Sequence, residues 1–321
     1  MASLVIGIDV SKDALDAAAG PAGPARRFPN DLAGIADLVA WATGLTPDRV
    51  VFESTGSYQK AAVGALLAAG LPAVVVNARQ VRDFAKGLGR LAKTDALDAA
   101  VLARFGEVVP TTVRPLPTPA VAEFQQQYDR RAQLVRMLAA EKNHRHAHAQ
   151  GSAKVRKNID AHIAYLERQI RGLEGQMDAF VEATAAYRAK DEILQSIPGV
   201  GPQVSRTLLA HLPELGTGTR QTLAALAGLA PYNDDSGTQT GGRHIVGGRA
   251  KVRIGLYQAA VVAITHCPEM KAFYARLKAR GKASKVALVA VARKLLALAN
   301  ALLRTMTPYQ TRANSVGPKT A

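Results

Sequence analysis

The sequence predicts an α/β domain over residues 1–117, a helical coiled-coil segment over 118–190 and a mainly α-helical domain over 191–321. Three observations carry this division. Short apolar runs rich in β-branched residues alternate with alanine- and leucine-rich stretches of helical period through the first third. A heptad follows, in which Ile159, Ile163, Leu166, Ile170, Leu173, Met177 and Phe180 alternate steps of four and three. Beyond residue 190 the pattern is helical and the charge strongly basic.

The first element is LVIGIDVSK at residues 4–12, a buried strand carrying Asp9 near its end. Ser11, Lys12 and Asp13 supply turn chemistry, so ALDAAAG folds back as the second strand of a hairpin. ARRFPN reads as a third strand, DLAGIADLVAWATGL as a helix, and RVVFEST as a strand ending in Glu53. YQKAAVGALLAAG is then a helix and PAVVVN a strand. VRDFAKGLGRLAKTD reads as a connection containing glycine and lysine, leading into the helix that carries Asp95 and Asp98. The proline-rich TVRPLPTPA closes the domain.

From about Val121 the chain is helical, and its heptad predicts a coiled coil or helical hairpin. The stripe can pack on the chain's own earlier helix or on a second subunit, and pairing between subunits is the reading adopted. His144, His146 and His148 alternate faces of a helix, which argues against a metal site and for a polar or nucleic-acid-facing surface. SIPGVGP opens the last domain between two short helices and resembles a helix-hairpin-helix, in which Gly199 and Gly201 let backbone amides approach a phosphate. Ser236 follows in a polar, glycine-rich loop, and Arg243, Arg249, Lys251 and Arg253 lead from it into an apolar helix. A serine hydroxyl is a poor nucleophile until something takes its proton or the phosphate is strongly polarised, and flanking guanidinium groups can do the latter. Asp234 and Asp235, just before the serine, have no assigned role.

Charge narrows the function classes. The 41 Lys+Arg against 25 Asp+Glu leave +16, and residues 191–321 hold 17 basic and 6 acidic residues. Between Arg243 and Lys294 there are 12 basic residues and one acid, Glu269, the footprint of a phosphate-backbone binder. A single cysteine, Cys267, excludes an internal disulfide and a cysteine-based zinc site, as in a reducing cytoplasm. The N-terminus has neither a basic leader nor a long apolar run, and VALVAVARKLLALANALL is interrupted by Arg293, Lys294 and Asn300, so a soluble protein without a membrane partner is expected.

The four acids Asp9, Glu53, Asp95 and Asp98 come from three elements of one domain. Asp95 and Asp98, three apart, share one face of a helix's first turn. Like charges gathered at one place repel, so the economical reading is that they bind a hard divalent cation through oxygen, Mg²⁺ first and Mn²⁺ second. Two such ions can activate a nucleophile and stabilise a leaving oxygen at a phosphodiester.

In the order strand acid, hairpin, strand acid, helical acid pair, the first domain resembles the ribonuclease H-like fold in its RuvC-like form. GIDVSK, FESTGSY, KTDALDA, IPGVG and GLAP…DSGT together resemble the DEDD transposases of bridge-RNA-guided insertion sequences, a family that includes the Piv-like DNA invertases. That resemblance implies a RuvC-like domain joined through a coiled coil to a transposase domain whose nucleophile is Ser236. It implies as partners donor and target DNA, a structured noncoding RNA that pairs with both, and further copies of the chain, assembled as dimers into a tetramer near the nucleoid. Three other readings use the same residues. A RuvC-like junction nuclease leaves Ser236 unexplained, and a non-enzymatic nucleic-acid binder leaves the acids unexplained. A sugar kinase or actin-like ATPase, suggested by GIDVS and DDSGT, requires a second β-rich lobe.

Overall fold

The computed structural model describes residues 4–23, 25–54, 56, 58–89, 95–111, 113, 117–233, 236 and 241–310, with the backbone alone at 95–97. The chain divides into two compact units, residues 1–117 and 118–321.

The first unit is built on a five-stranded sheet of order β3-β2-β1-β4-β5. The strands are β1 (Val5–Val10), β2 (Ala14–Ala19), β3 (Ala25–Pro29), β4 (Arg49–Glu53) and β5 (Ala73–Val76). β1, β2 and β3 form an antiparallel meander, and β4 and β5 run parallel to β1. Both faces are covered, which is why the central strands read as nearly continuous apolar runs. On one face Ile6, Ile8, Val50 and Phe52 share a core with Ile35 and Leu38 of α1 (Leu32–Leu45) and Leu66 of α2 (Lys60–Ala68). On the other, Val5, Val51 and Val74 meet Val81 of α3 (Ala78–Gly87) and Leu102 and Phe105 of α4 (Asp95–Val108). α3 corrects the reading of its segment as a connection. Asn77 caps it by accepting from Arg79 N at 2.8 Å, and Val81 and Phe84, three apart, face α4, where Phe84 meets the Phe105 ring edge-on at 5.4 Å.

The second unit is helical apart from a two-stranded ribbon of β6 (Pro231–Tyr232) and β7 (His244–Ile245). Its described residues hold no β-rich lobe of the kind a sugar kinase needs. It opens with α5 (Pro119–Ala147) and α6 (Ala153–Ala183). The ion pairs Arg131–Glu174, Lys142–Glu167 and Arg145–Asp160 show the two helices running antiparallel, one number rising as the other falls. Leu166, Ile170 and Leu173 of the heptad pack with Leu134 and Leu138 of α5. The stripe is therefore closed within the chain as a helical hairpin over this stretch. The rest comprises α7 (Ala185–Gln195), α8 (Pro202–His211), α9 (Arg220–Leu226), α10 (Ala250–His266), α11 (Pro268–Ala279) and α12 (Ser284–Thr305). α12 is long and apolar enough to cross a membrane. Here it supplies Val291, Leu295, Leu296 and Leu303 to the core, and buried Asn300 accepts from Gly216 N and donates to Gly218 O.

Candidate active site

The sheet and α4 run in opposite directions, which turns the first turn of α4 toward the strand ends that carry acids. A Cβ built on Gly106, late in α4, would meet Val5 and Val51, and one built on Gly7 would lie 2.1 Å from Ala99 O and 2.3 Å from Ala103 N. The helix thus passes back along β1, and its first turn, with Asp95 and Asp98, lies toward the end of β1 that carries Asp9. Ile8 pairs with Phe52, so Asp9 and Glu53 are the next residues on two adjacent parallel strands. Alternation turns both to the α4 face, since Val5, Gly7 and Val51 already point there.

Across the sheet the row continues, because Asp9 pairs with Asp16 and Asp16 with Arg27. Arg27 Nε stands 3.8 Å from Asp16 Oδ1, so this extra acid has its own counter-charge. Among the described residues no three His, Cys, Asp or Glu side chains stand close enough to hold a metal ion as they are, and the Asp95 side chain lies outside those residues. The donors at this end of the sheet are carboxylate oxygens, the donor set that suits a hard divalent cation. Gly7 makes the approach possible: any larger residue would hold the helical acids away from the strand acids. A glycine interrupting a strand is the signal that could have found it.

In the second unit Ser236 is exposed and lies between β6 and β7; Asp234, Asp235 and residues 237–240 lie outside the described residues. The base of this loop is tightly closed. A Cβ on Gly248 would lie 2.2 Å from Gly228 N, so the backbone enters and leaves in direct contact. Arg249 N donates to Leu226 O at 2.7 Å, and Arg253 Nη1 donates to Gly247 O at 2.6 Å. Arg249 also forks onto Glu214, at 2.6 and 2.7 Å, and donates to His211 O at 2.9 Å.

Lys251 is paired with Asp129, where His211 Nε2 also lies 3.1 Å from the same oxygen. Burial pushes the Asp129 carboxyl up, but His211 and Lys251 outweigh it and hold it at about 2. Three of the four cations assigned to nucleic acid therefore have partners inside the protein, and Arg249 is the most committed. Arg243 is exposed. The partners missed in the sequence are Glu214, 35 residues away from Arg249, and Asp129, 122 away from Lys251.

The glycine-bearing turn joins α7 to α8 as expected, and Asp191 ties the two helices by accepting from Ser205 Oγ and Gln195 Nε2. Gly199 has a packing reason: a Cβ there would lie 2.5 Å from Ala259 O of α10. Gly201 is exposed with open space around it. His144 contacts Glu141 at 3.1 Å, and the described residues place no metal site around His146 or His148.

Residues 6–152 match the DEDD transposase model of the IS110 type, and residues 191–275 match the transposase model of the IS116/IS110/IS902 family. The pilin gene-inverting protein of Moraxella bovis is 26% identical over 332 residues, covering 97% of this chain and 99% of that protein. An uncharacterized 43.6 kDa protein of insertion element IS110 from Streptomyces coelicolor is 32% identical over 158 residues, 48% of this chain and 38% of that protein. A 42 kDa protein of insertion element IS900 from Mycobacterium paratuberculosis is 28% identical over 246 residues, 74% of this chain and 60% of that one. The DEDD match implies a ribonuclease H-like fold for the first unit, which its five-stranded sheet and covering helices fit, and the family usually depends on a divalent metal. With both family models on one chain, in order, and a relative aligned end to end, the protein belongs to the IS110 family of transposases and DNA invertases, which cleave DNA and transfer strands.

Proposed function

We propose that this chain recombines DNA site-specifically under the guidance of a structured RNA, cutting strands through a phosphoserine at Ser236 with Asp9, Glu53, Asp95 and Asp98 as its carboxylate site. The observation that carries the reading is the antiparallel seating of α4 on β1, which supports bringing four acids from three elements to one end of the sheet. Mg²⁺ held by these oxygens would polarise the phosphodiester and stabilise the leaving oxygen.

The chain's own steps are positional and nucleophilic. Ser236 Oγ bonds to phosphorus as the bond to one sugar oxygen breaks, and the hydroxyl proton ends on that oxygen. The reverse attack by a strand hydroxyl restores Ser236 and rejoins DNA without ATP, so recombination is conservative. The name of the Moraxella relative, a gene-inverting protein, fits that outcome. The loop's closed base, pinned by Arg249 and Arg253, supports a fixed serine rather than a passive turn.

On this reading the serine domain spans residues 191–321, the α5–α6 hairpin is the linker, and dimers assemble into a tetramer on donor DNA, target DNA and RNA in the cytoplasm. Of the residues proposed for phosphate contact, Gly201, Arg243 and Lys251 are exposed, Lys251 while paired with Asp129. Recombination of a donor and a target plasmid, with the RNA supplied, tests the account. Wild type should recombine them, and Asp9→Asn with Asp95→Asn should not. Wild-type rates in that variant, or recombination indifferent to the RNA, would refute it.

A further inference from the structure

α11 and α12 meet in a turn whose shape is fixed by its backbone. Gly281 N donates to Lys278 O at 2.9 Å and Lys282 N to Leu277 O at 3.2 Å. With Gly281 at φ 75°, this is the two-bond closure that ends a helix on a left-handed glycine. Lys278, Arg280, Lys282 and Lys285 stand around it, all exposed, and Lys271 lies seven residues before Lys278 on the same side of α11.

We propose that this turn is a contact surface for the phosphate backbone of duplex DNA, read without regard to sequence. The inference rests on the DNA-recombining function above and adds a surface to it. Three observations carry it.

First, among the described residues these cations have no counter-charge. Residues 270–321 contain 11 Lys+Arg and no acid, and among the described residues Lys271, Lys278, Arg280, Lys282 and Lys285 make no ion pair. Elsewhere in the same unit Arg131, Lys142 and Arg249 each face a glutamate. Concentrated like charge destabilises a fold by self-repulsion.

Second, the charges on the α12 side oppose the helix. Basic residues in the last turn of α11, Arg276 and Lys278, suit its dipole. Lys285 is the second residue of α12, Lys282 lies just before it, and the first turn of α12 has no acid. Cations there face the positive end of the helix, so stability of the fold does not account for them. An anionic partner does.

Third, the surface is poor in rings on which to stack a base, since Tyr274 is half-buried against the core. Phe273 is engaged by Arg276 at 5.3 Å and Lys294 at 4.8 Å, and residues 275–308 contain no Phe, Tyr or Trp. Binding of single strands relies on aromatic stacking. Cations alone on a rigid turn suit the backbone of a duplex.

The test is fluorescence anisotropy of a labelled duplex of about 30 base pairs, at salt from about 50 to 300 mM, with an RNA stem measured in parallel. Two full-length variants are used, Lys282→Gln with Lys285→Gln, and the same pair with Lys278→Gln and Arg280→Gln. For the fourfold variant the slope of log K against log salt should fall by about 3, and duplex affinity near 150 mM should fall at least about tenfold. The double variant should lose about half that slope while its Tm holds or rises, because it removes cations from the wrong end of α12. A merely structural role would lower the Tm instead. Slope and affinity within twofold of wild type would overturn the inference, as would a loss confined to the RNA stem. A wild-type chain that does not bind duplex DNA at all would instead sink the DNA-recombining function itself.

Discussion

Replacing Gly7 by alanine adds one methyl group at the point where α4 crosses β1. Its Cβ would lie 2.1 Å from Ala99 O and 2.3 Å from Ala103 N, both backbone atoms of a helix buried against the sheet. Restoring an ordinary contact requires α4 to retreat by about 1.3 Å, which no rotamer can relieve because the clash is with backbone. Gly7 is not among the glycines with positive φ, so alanine brings no backbone strain of its own. Overpacking of this kind costs about 1–3 kcal/mol, and the stiffer unfolded chain returns about 0.4–1. The net loss is about 1–2 kcal/mol, or a Tm lower by about 5–10 °C for a unit of this size.

The chemical consequence is larger than the thermal one, because the same retreat carries the Asp95–Asp98 turn away from Asp9 and Glu53. A misplacement of about 1 Å can cost about a hundredfold in rate. Thermal unfolding and cleavage of labelled DNA with Mg²⁺, measured on Gly7→Ala, give both numbers. Gly64→Ala on α2 is the control: open space surrounds that position, so it should gain up to about 1 kcal/mol and keep full activity. If Gly7→Ala melts and cleaves like wild type, α4 does not seat on β1 as described.

Arg249→Lys keeps the charge but loses the fork onto Glu214, so it should cost about 1.5–3 kcal/mol and lower serine-dependent cleavage while DNA affinity changes less than about twofold. A collapse of DNA affinity with stability intact would make Arg249 a phosphate contact after all. The Asp129 carboxyl, held at about 2, lies below its ordinary 3.8. Its contribution to stability is therefore present above pH 3.8 and lost as pH falls through about 2. The difference in Tm between wild type and Asp129→Asn should be constant from about pH 5 to about 4, where a partner imidazole is already charged, and shrink below that; a difference that grows below about pH 4 would contradict the pairing with His211 and Lys251.

Much of the first unit was legible in the sequence because its signals are local. Alternating apolar runs mark the five strands, and an acid at the end of a strand announces itself. α3 was less visible, since its apolar residues are few and its cap, Asn77, closes the preceding strand in the sequence. The heptad announced a seam without saying what fills it. Leu134 and Leu138 of α5 do so over residues 166–173, and only the tertiary arrangement reveals that. The internal partners of the cations after Ser236 are hidden in the sequence for a related reason. Charge is visible in a sequence, but Glu214 and Asp129, which engage Arg249 and Lys251, lie 35 and 122 residues away.

The claim on which the account turns is that DNA is cut by a protein nucleophile rather than by water. Incubating labelled donor DNA with the protein, guide RNA and Mg²⁺, then separating the products on a denaturing gel, tests it directly. Wild type should yield a covalent protein–DNA band that protease removes. Ser236→Ala should yield none while keeping its RNA binding and oligomeric state, because deleting one exposed hydroxyl disturbs little packing. An adduct that persists in Ser236→Ala, or wild-type cleavage that leaves only free DNA ends, would contradict it.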